Sequence, residues 1–454
     1  MIGKIVVGLA AAGVVAAGGV VGWLAVAPPE LLKVGDGYAA KIVCSNVFLA
    51  GREANAVLDA DVQAPGNPIL RLVRVSVDTE AQTVTAKFMG LFAAGVAVYR
   101  PGLGCASVPD GDLDAARAIT LETPPAIVPA GDQPWPEGGH AVSADPEVGA
   151  ILADTGLTGP NMRAVVVVRD GRIVAEAYGD GFDPTTPLLG WSMTKTVNAI
   201  LVGRLMEEGK IGFDDRNLFP EWTDARRHIK LRDLLSMTSG LSFNEEYGDV
   251  SDATRMLYLE PDMAGFAASQ TLVAPPGTVF NYSSGTGVIL SRLWMSRLGD
   301  GQAALRYPRE ALFGPLGMTS AVLEADEHGT FVGSSYTYAT ARDWARIGKF
   351  LLDDGVWNGK RLLPEGFVKM MGTSNGLPAG YSQLQTWVQG PHESEDGKPI
   401  GLPADTFWLE GHDGQTIAVI PSAHLVVVRL GLTPWKLDYW PEKLVKAIVA
   451  AGAG

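Results

Sequence analysis

The sequence predicts an α+β layered fold, with one antiparallel sheet assembled from distant segments and flanked by helices. Two strand pairs and the stretch between them carry that reading. "MRAVVVVRDGRIVAEAYGDGF" (162–182) reads as a hairpin, because valine-rich runs meet at Asp170-Gly171, a dipeptide suited to a two-residue turn. "TIAVIPSAHLVVVRLGL" (416–432) reads as two further strands around a Pro-Ser turn. The chain between them is mostly helical and loop-rich to about residue 375, so the two pairs must meet across it.

In chain order, the first element is an apolar run from Ile5 to Ala27, about 23 residues or roughly 34 Å as a helix, enough to cross a bilayer. Residues 1–27 are therefore expected to be an uncleaved membrane anchor or a cleaved signal segment; "AVA" at 25–27 resembles a cleavage site, but Pro28 follows it directly. Both readings export the chain. It would face the periplasm from the inner membrane, or be periplasmic or secreted after cleavage. Residues 28–139 are expected to form a small β-rich region, with a hairpin in "LRLVRVSVDTEAQTVTAKFMGLFAAGVAVYR" (70–100), closed by the proline-rich linker "TPPAIVPAGDQPWPEGG" (123–139). Residues 140–454 form the main domain. It opens on a helix in "EVGAILADTG" and ends on one in "PEKLVKAIVAA".

Composition bounds the function. A formal charge of −14 repels phosphate backbones and argues against nucleic-acid binding. Apolar content of 47% with 19% charged residues is that of a folded chain. The two cysteines, Cys44 and Cys105, lie in one small region of an exported chain and suggest a disulfide, the alternative being two buried thiols. No C-x-x-C or H-E-x-x-H occurs, so no metal site and no cofactor is expected. No pattern here fixes an oligomeric state.

The chemistry-bearing stretch is "LLGWSMTKTVNAILVGRLMEEGK" (188–210). Residues three apart on a helix share a face, so Ser192 and Lys195 meet at its first turn. The positive end of the helix dipole and burial both disfavour a charged ammonium, and a neutral lysine is a base for the serine proton. The plainer alternative is a serine cap followed by a surface lysine. Two further stretches bear on the choice. "PPGTVFNYSSGTGVILSRL" (275–293) sets Tyr282 and Ser284 in a turn before an apolar helix, and "LEGHDGQTIAVIP" (409–421) sets His412, Asp413 and Gly414 at the start of a strand.

The order S-x-x-K, Y-x-[NS], [KH]-x-G resembles the serine β-lactamase and penicillin-binding-protein family, and more narrowly the class C β-lactamases with their esterase and amidase relatives. The resemblance spans about 160–435. It implies a β-lactamase/transpeptidase-like fold with an all-helical subdomain, and an acyl-enzyme mechanism on a small amide or ester. Ser192 would be the nucleophile, Lys195 its base, and Tyr282 a proton shuttle whose phenolate is favoured by charged Lys195. The backbone N–H groups of Ser192 and Gln415 would form the oxyanion hole. Ser284, His412 and Gly414 would line the cleft, the glycine because substrate backbone approaches closely. Ser284 and His412 replace the asparagine and lysine that help β-lactamases hold their substrates, which points to the esterase and amidase branch.

The stretch "MTSGLSFNEEYGDVSD" (237–252) resembles the 6-aminohexanoate-dimer hydrolases. It would be a mobile lid with Tyr247 contacting the substrate amide, or an ordinary acidic loop. Glu245, Glu246 and Asp249 would attract a cationic amine or simply be solvated. The alternatives are a carboxylesterase, a D,D-peptidase or β-lactamase of the same family, and a silent cell-envelope binding protein. A Ser-His-Asp hydrolase fits poorly: His412 and Asp413, adjacent on a strand, would face opposite sides, and no G-x-S-x-G occurs.

Overall fold

Residues 18–19, 21–64, 66–122, 133–140, 145–299, 301–393 and 400–452 are described by the computed structural model of this chain. They divide into two units. The first gathers the described residues up to Arg100 with Cys105–Ala118 and Glu246–Pro261; the second holds Pro101–Gly104 and the described residues of Ile119–Glu245 and Asp262–Gly454. This division cuts across the expected boundary near 139, and much of the proline-rich linker lies outside the described residues.

The first unit is not simply β-rich. Helix α1 (Glu30–Phe48) packs on a sheet ordered β1 (Val73–Asp78), β2 (Thr83–Phe88), β3 (Phe92–Arg100), β4 (Gly104–Ser107). The hairpin around Asp-Thr-Glu is β1–β2, running antiparallel. The helix escapes a periodicity search because it is buried on most sides and carries Gly35, Asp36, Gly37 and Lys41 inside its buried stretch. Helix and sheet touch closely: a Cβ on Gly95 would lie 2.2 Å from the carbonyl carbon of Asp36. Burial pushes the Asp36 carboxyl up to about 7, while the Phe88 N–H donated to it pulls the other way.

A disulfide joins Cys44 to Cys105 with Cα atoms 6.1 Å apart. The helix Asp252–Leu259, far off in sequence, completes this unit. Ser251 caps it by accepting the Thr254 N–H at 3.2 Å, Tyr258 meets Tyr38 edge-on, and Arg255 pairs with Glu30. Among the described residues no helix is long and apolar enough to cross a membrane; most of the Ile5–Ala27 run lies outside them.

The second unit is the expected layered sheet. Among its elements are α2 (Pro146–Leu152), β5 (Met162–Arg169), β6 (Arg172–Tyr178), α3 (Met193–Glu207), α4 (Ser284–Ser296), α5 (Ala341–Leu352), β7 (Phe407–Gly411), β8 (Gln415–Ile420), β9 (Leu425–Gly431) and α6 (Pro441–Ala451). The strand order is β7-β8-β9-β5-β6 and every pair is antiparallel, so strands from both ends of the domain meet at β9–β5. Asp170 and Gly171 both take positive φ, 50° and 76°, the two-residue turn that the dipeptide encodes. One face packs Val165, Val167, Trp408 and Val427 against Val148 of α2 and Leu444 and Ile448 of α6. On the strands β9, β8 and β5 also lies α5. With both faces covered, "AVVVV" is buried throughout and shows no alternation.

The disulfide spans a sequence separation of 61, and loop closure of that length constrains the unfolded chain by about 4 kcal/mol. Replacing both cysteines with alanine should lower the urea midpoint of the first unit accordingly, read by protease sensitivity within residues 30–118. An unchanged midpoint would mean the α1–sheet packing alone sets its stability.

Candidate active site

Ser192 is the cap residue of α3 and makes no capping hydrogen bond with its side chain, which leaves the hydroxyl free for chemistry. The turn before it is unusual. Trp191 sits at φ +47°, a left-handed conformation that costs a bulky side chain of order 1–3 kcal/mol. The indole is buried, 6.1 Å from the Tyr336 ring and 5.8 Å from the His412 ring. Nothing in the sequence signals that geometry.

Lys195 is 1% exposed and makes three contacts through Nζ. It donates to Ser192 Oγ at 2.9 Å, Ser284 Oγ at 3.1 Å and the Ser334 carbonyl at 3.1 Å. Burial lowers its amine to about 8, with Glu245, 4.0 Å away, pulling it back up. The helix that carries it is buried nearly all round and is fixed by Asn198. That side chain donates to the Gly287 carbonyl of α4 at 2.7 Å and accepts from Trp294 Nε1 at 2.7 Å. Helices α3 and α4 are thereby locked together.

Tyr282 lies against this pair, with Lys195 Nζ 4.6 Å from its ring centroid. Burial pushes its hydroxyl well up, Glu245 and Glu410 push the same way, and a hydrogen bond with Ser192 opposes them. Against the expected phenolate, Lys195 meets the ring face, and burial first and Glu245 next favour the protonated phenol. Its ring is boxed by Tyr381 at 5.7 Å and Trp387 at 5.4 Å, two aromatics that no sequence pattern singles out.

Two residues change meaning. Ser284 is fully buried. It donates Oγ–H to Glu245 Oε1 and its N–H to Glu245 Oε2 at 2.7 Å, which ties it to both the carboxylate and Lys195. Glu245 is correspondingly engaged by Ser284 and Lys195, not held out for a cationic amine. Glu246, Tyr247 and Asp249 belong to the first unit, where the Glu246 carbonyl accepts from Ser251 Oγ and the Asp249 carbonyl from Thr254 Oγ1. That stretch is tied into the cap of the helix Asp252–Leu259.

The third motif is a turn between β7 and β8. His412, Asp413 and Gly414 form a short 3₁₀ turn with Asp413 at φ +57°, so His412 and Asp413 are not strand neighbours facing opposite ways. Their side chains approach, His412 Nε2 to Asp413 Oδ1 at 3.5 Å. The Gly414 requirement is internal: its φ is +82°, and a Cβ would lie 3.0 Å from Arg429 Nη1. The Gln415 side chain braces the turn, donating to the His412 carbonyl at 3.0 Å and accepting the Gly431 N–H at 2.9 Å. This turn abuts the nucleophile, since a Cβ on Gly411 would lie 2.2 Å from the Gly190 carbonyl oxygen. A cavity of about 220 Å³ beside it is lined by Glu410, His412, Gly414, Gln415 and Trp435. No group of acidic, histidine or cysteine side chains among the described residues could hold a metal ion.

Comparison with known proteins agrees with this geometry. The beta-lactamase family model matches residues 160–431, more than half of the chain. The chain is 24% identical over 310 residues to the 6-aminohexanoate-dimer hydrolase of Paenarthrobacter ureafaciens, covering 62% of this chain and 73% of that one. It shares its fold with a penicillin-binding protein from Bacillus halodurans (TM-score 0.51, 19% identity, 67% of this chain and 99% of that one). A family VIII carboxylesterase is similar too (TM-score 0.52, 16% identity, 69% and 98%). With the serine and lysine of the first motif and the tyrosine of the second brought together on its α3–α4 frame, the chain belongs to the beta-lactamase family of serine hydrolases.

Proposed function

We propose that the protein hydrolyses a small amide or ester through an acyl-enzyme on Ser192. The observation that carries the proposal is the 2.9 Å hydrogen bond between Lys195 Nζ and Ser192 Oγ, made by an amine that burial holds near 8. Neutral Lys195 takes the Ser192 proton as Oγ attacks the carbonyl carbon. The backbone N–H groups of Ser192 and Gln415 hold the oxyanion. Protonated Tyr282 gives its hydrogen to the departing amine or alkoxide and is refilled from the Lys195 ammonium, so the base is neutral again. In deacylation the relay reverses. Water gives a proton through Tyr282 to Lys195 as it attacks, and Lys195 returns it to the leaving Ser192 Oγ.

The 6-aminohexanoate-dimer hydrolase similarity supports an amide substrate and the carboxylesterase fold supports an ester. Ser284 and His412, in place of the asparagine and lysine of β-lactamases, weigh against efficient β-lactam turnover. The disulfide of the first unit supports an exported location.

Ser192→Ala should abolish p-nitrophenyl ester and 6-aminohexanoate-dimer turnover, and Lys195→Ala should lose several orders of magnitude in acylation. Tyr282→Phe should slow turnover by roughly 10²–10⁴. Ester hydrolysis that survives in Ser192→Ala would place the nucleophile elsewhere. The kcat/KM profile should fall as pH drops through about 8, where the amine takes up its proton. Because Glu245 raises the Lys195 value, Glu245→Gln should move that limb to lower pH, and a limb that stays put or moves up would refute the assignment.

A further inference from the structure

The first unit exposes large apolar side chains at one end. Leu24 packs on Leu32, Phe88 and Phe92, which sets the segment 21–26 beside the turn between β2 and β3. Trp23 is 54% exposed on that segment, and Met89 and Leu91 at the turn are 54% and 74% exposed. Leu72 joins them, its carbonyl accepting the Met89 N–H at 2.7 Å. An isolated exposed leucine needs no explanation, but a contiguous set does.

The charges around this end are ordered. Arg71, Arg74 and Lys87 are exposed there, with Arg74 directly opposite Lys87 across the β1–β2 ladder. The acidic residues of the same hairpin, Asp78 and Glu80, stand at its other end. Three cations beside exposed aliphatic side chains run against a net charge of −14. Two copies facing each other through this end would oppose like charges, so a second copy is the poorer occupant. In sequence the patch is continuous with Ile5–Ala17, a stretch without a charged residue.

We propose that this end of the first unit lies against an anionic lipid bilayer. Met89, Leu91 and Trp23 enter the boundary between headgroups and acyl chains. Arg71, Arg74 and Lys87 meet the lipid phosphates, each cation near the surface adding to the attraction. The assignment is independent of the chemistry at Ser192.

The test uses the full chain reconstituted into vesicles of phosphatidylethanolamine and phosphatidylglycerol. Cys44 and Cys105 are paired, so Leu91→Cys supplies a unique thiol for an environment-sensitive fluorophore, and Glu80→Cys at the far end of the hairpin is the control. Doxyl-labelled lipid should quench the Leu91 probe at least about threefold more than the Glu80 probe. The difference should shrink in pure phosphatidylcholine. Equal quenching at both positions would overturn the proposal, and so would a lipid-inaccessible Leu91 probe that crosslinks to a second copy. An undiminished difference in phosphatidylcholine would overturn the role given to the basic residues.

Discussion

The buried amine of Lys195 is the constraint on which the catalytic unit depends. An ammonium shut away from water is costly, and this one has neutral oxygens on three sides, Ser192 Oγ, Ser284 Oγ and the Ser334 carbonyl, with a single carboxylate farther off. Burial therefore brings the amine down to about 8, so the neutral form that can act as a base is far more accessible than in an exposed lysine. The rest of the frame serves that placement: the strained turn at Trp191, the Asn198 tie from α3 to α4, and the Gly411 contact that brings the edge strand to the nucleophile.

Glu245 sets how far the bias goes. It opposes the effect of burial on Lys195 and adds to the effect of burial on Tyr282, so one carboxylate moves both groups toward retaining their protons. In the mechanism we propose, the phenol is then a donor at rest that the lysine refills, and the two act as one relay. That coupling explains why a serine at position 284 fits here. Its hydroxyl accepts from Lys195 and donates to Glu245, a bridge that links amine and carboxylate.

Much of this was legible in the sequence, and the limits have physical causes. The hairpin at Asp170-Gly171, the strands at 416–432 and the Ser192–Lys195 pair are encoded by local turn chemistry, valine-rich runs and helix spacing. Each therefore survives reading in short windows. Helix α1 was missed because its glycines and buried charges erase a clean apolar stripe. The contact between Ser284 and Glu245 spans 39 residues, and Tyr381 and Trp387 come to Tyr282 from about a hundred residues away, so no short window reports them. The 246–261 segment joins the first unit through packing that no local pattern reports. His412 and Asp413 were placed on a strand because a single left-handed residue, Asp413, is invisible in the text.

The most direct test is a titration of Lys195 itself in the folded protein. With lysine labelled at Cε with carbon-13 and the resonance assigned by Lys195→Arg, its chemical shift should titrate with a midpoint near 8. A midpoint at the ordinary value of 10.5 would mean that burial does not lower the amine, and the base assignment would fail.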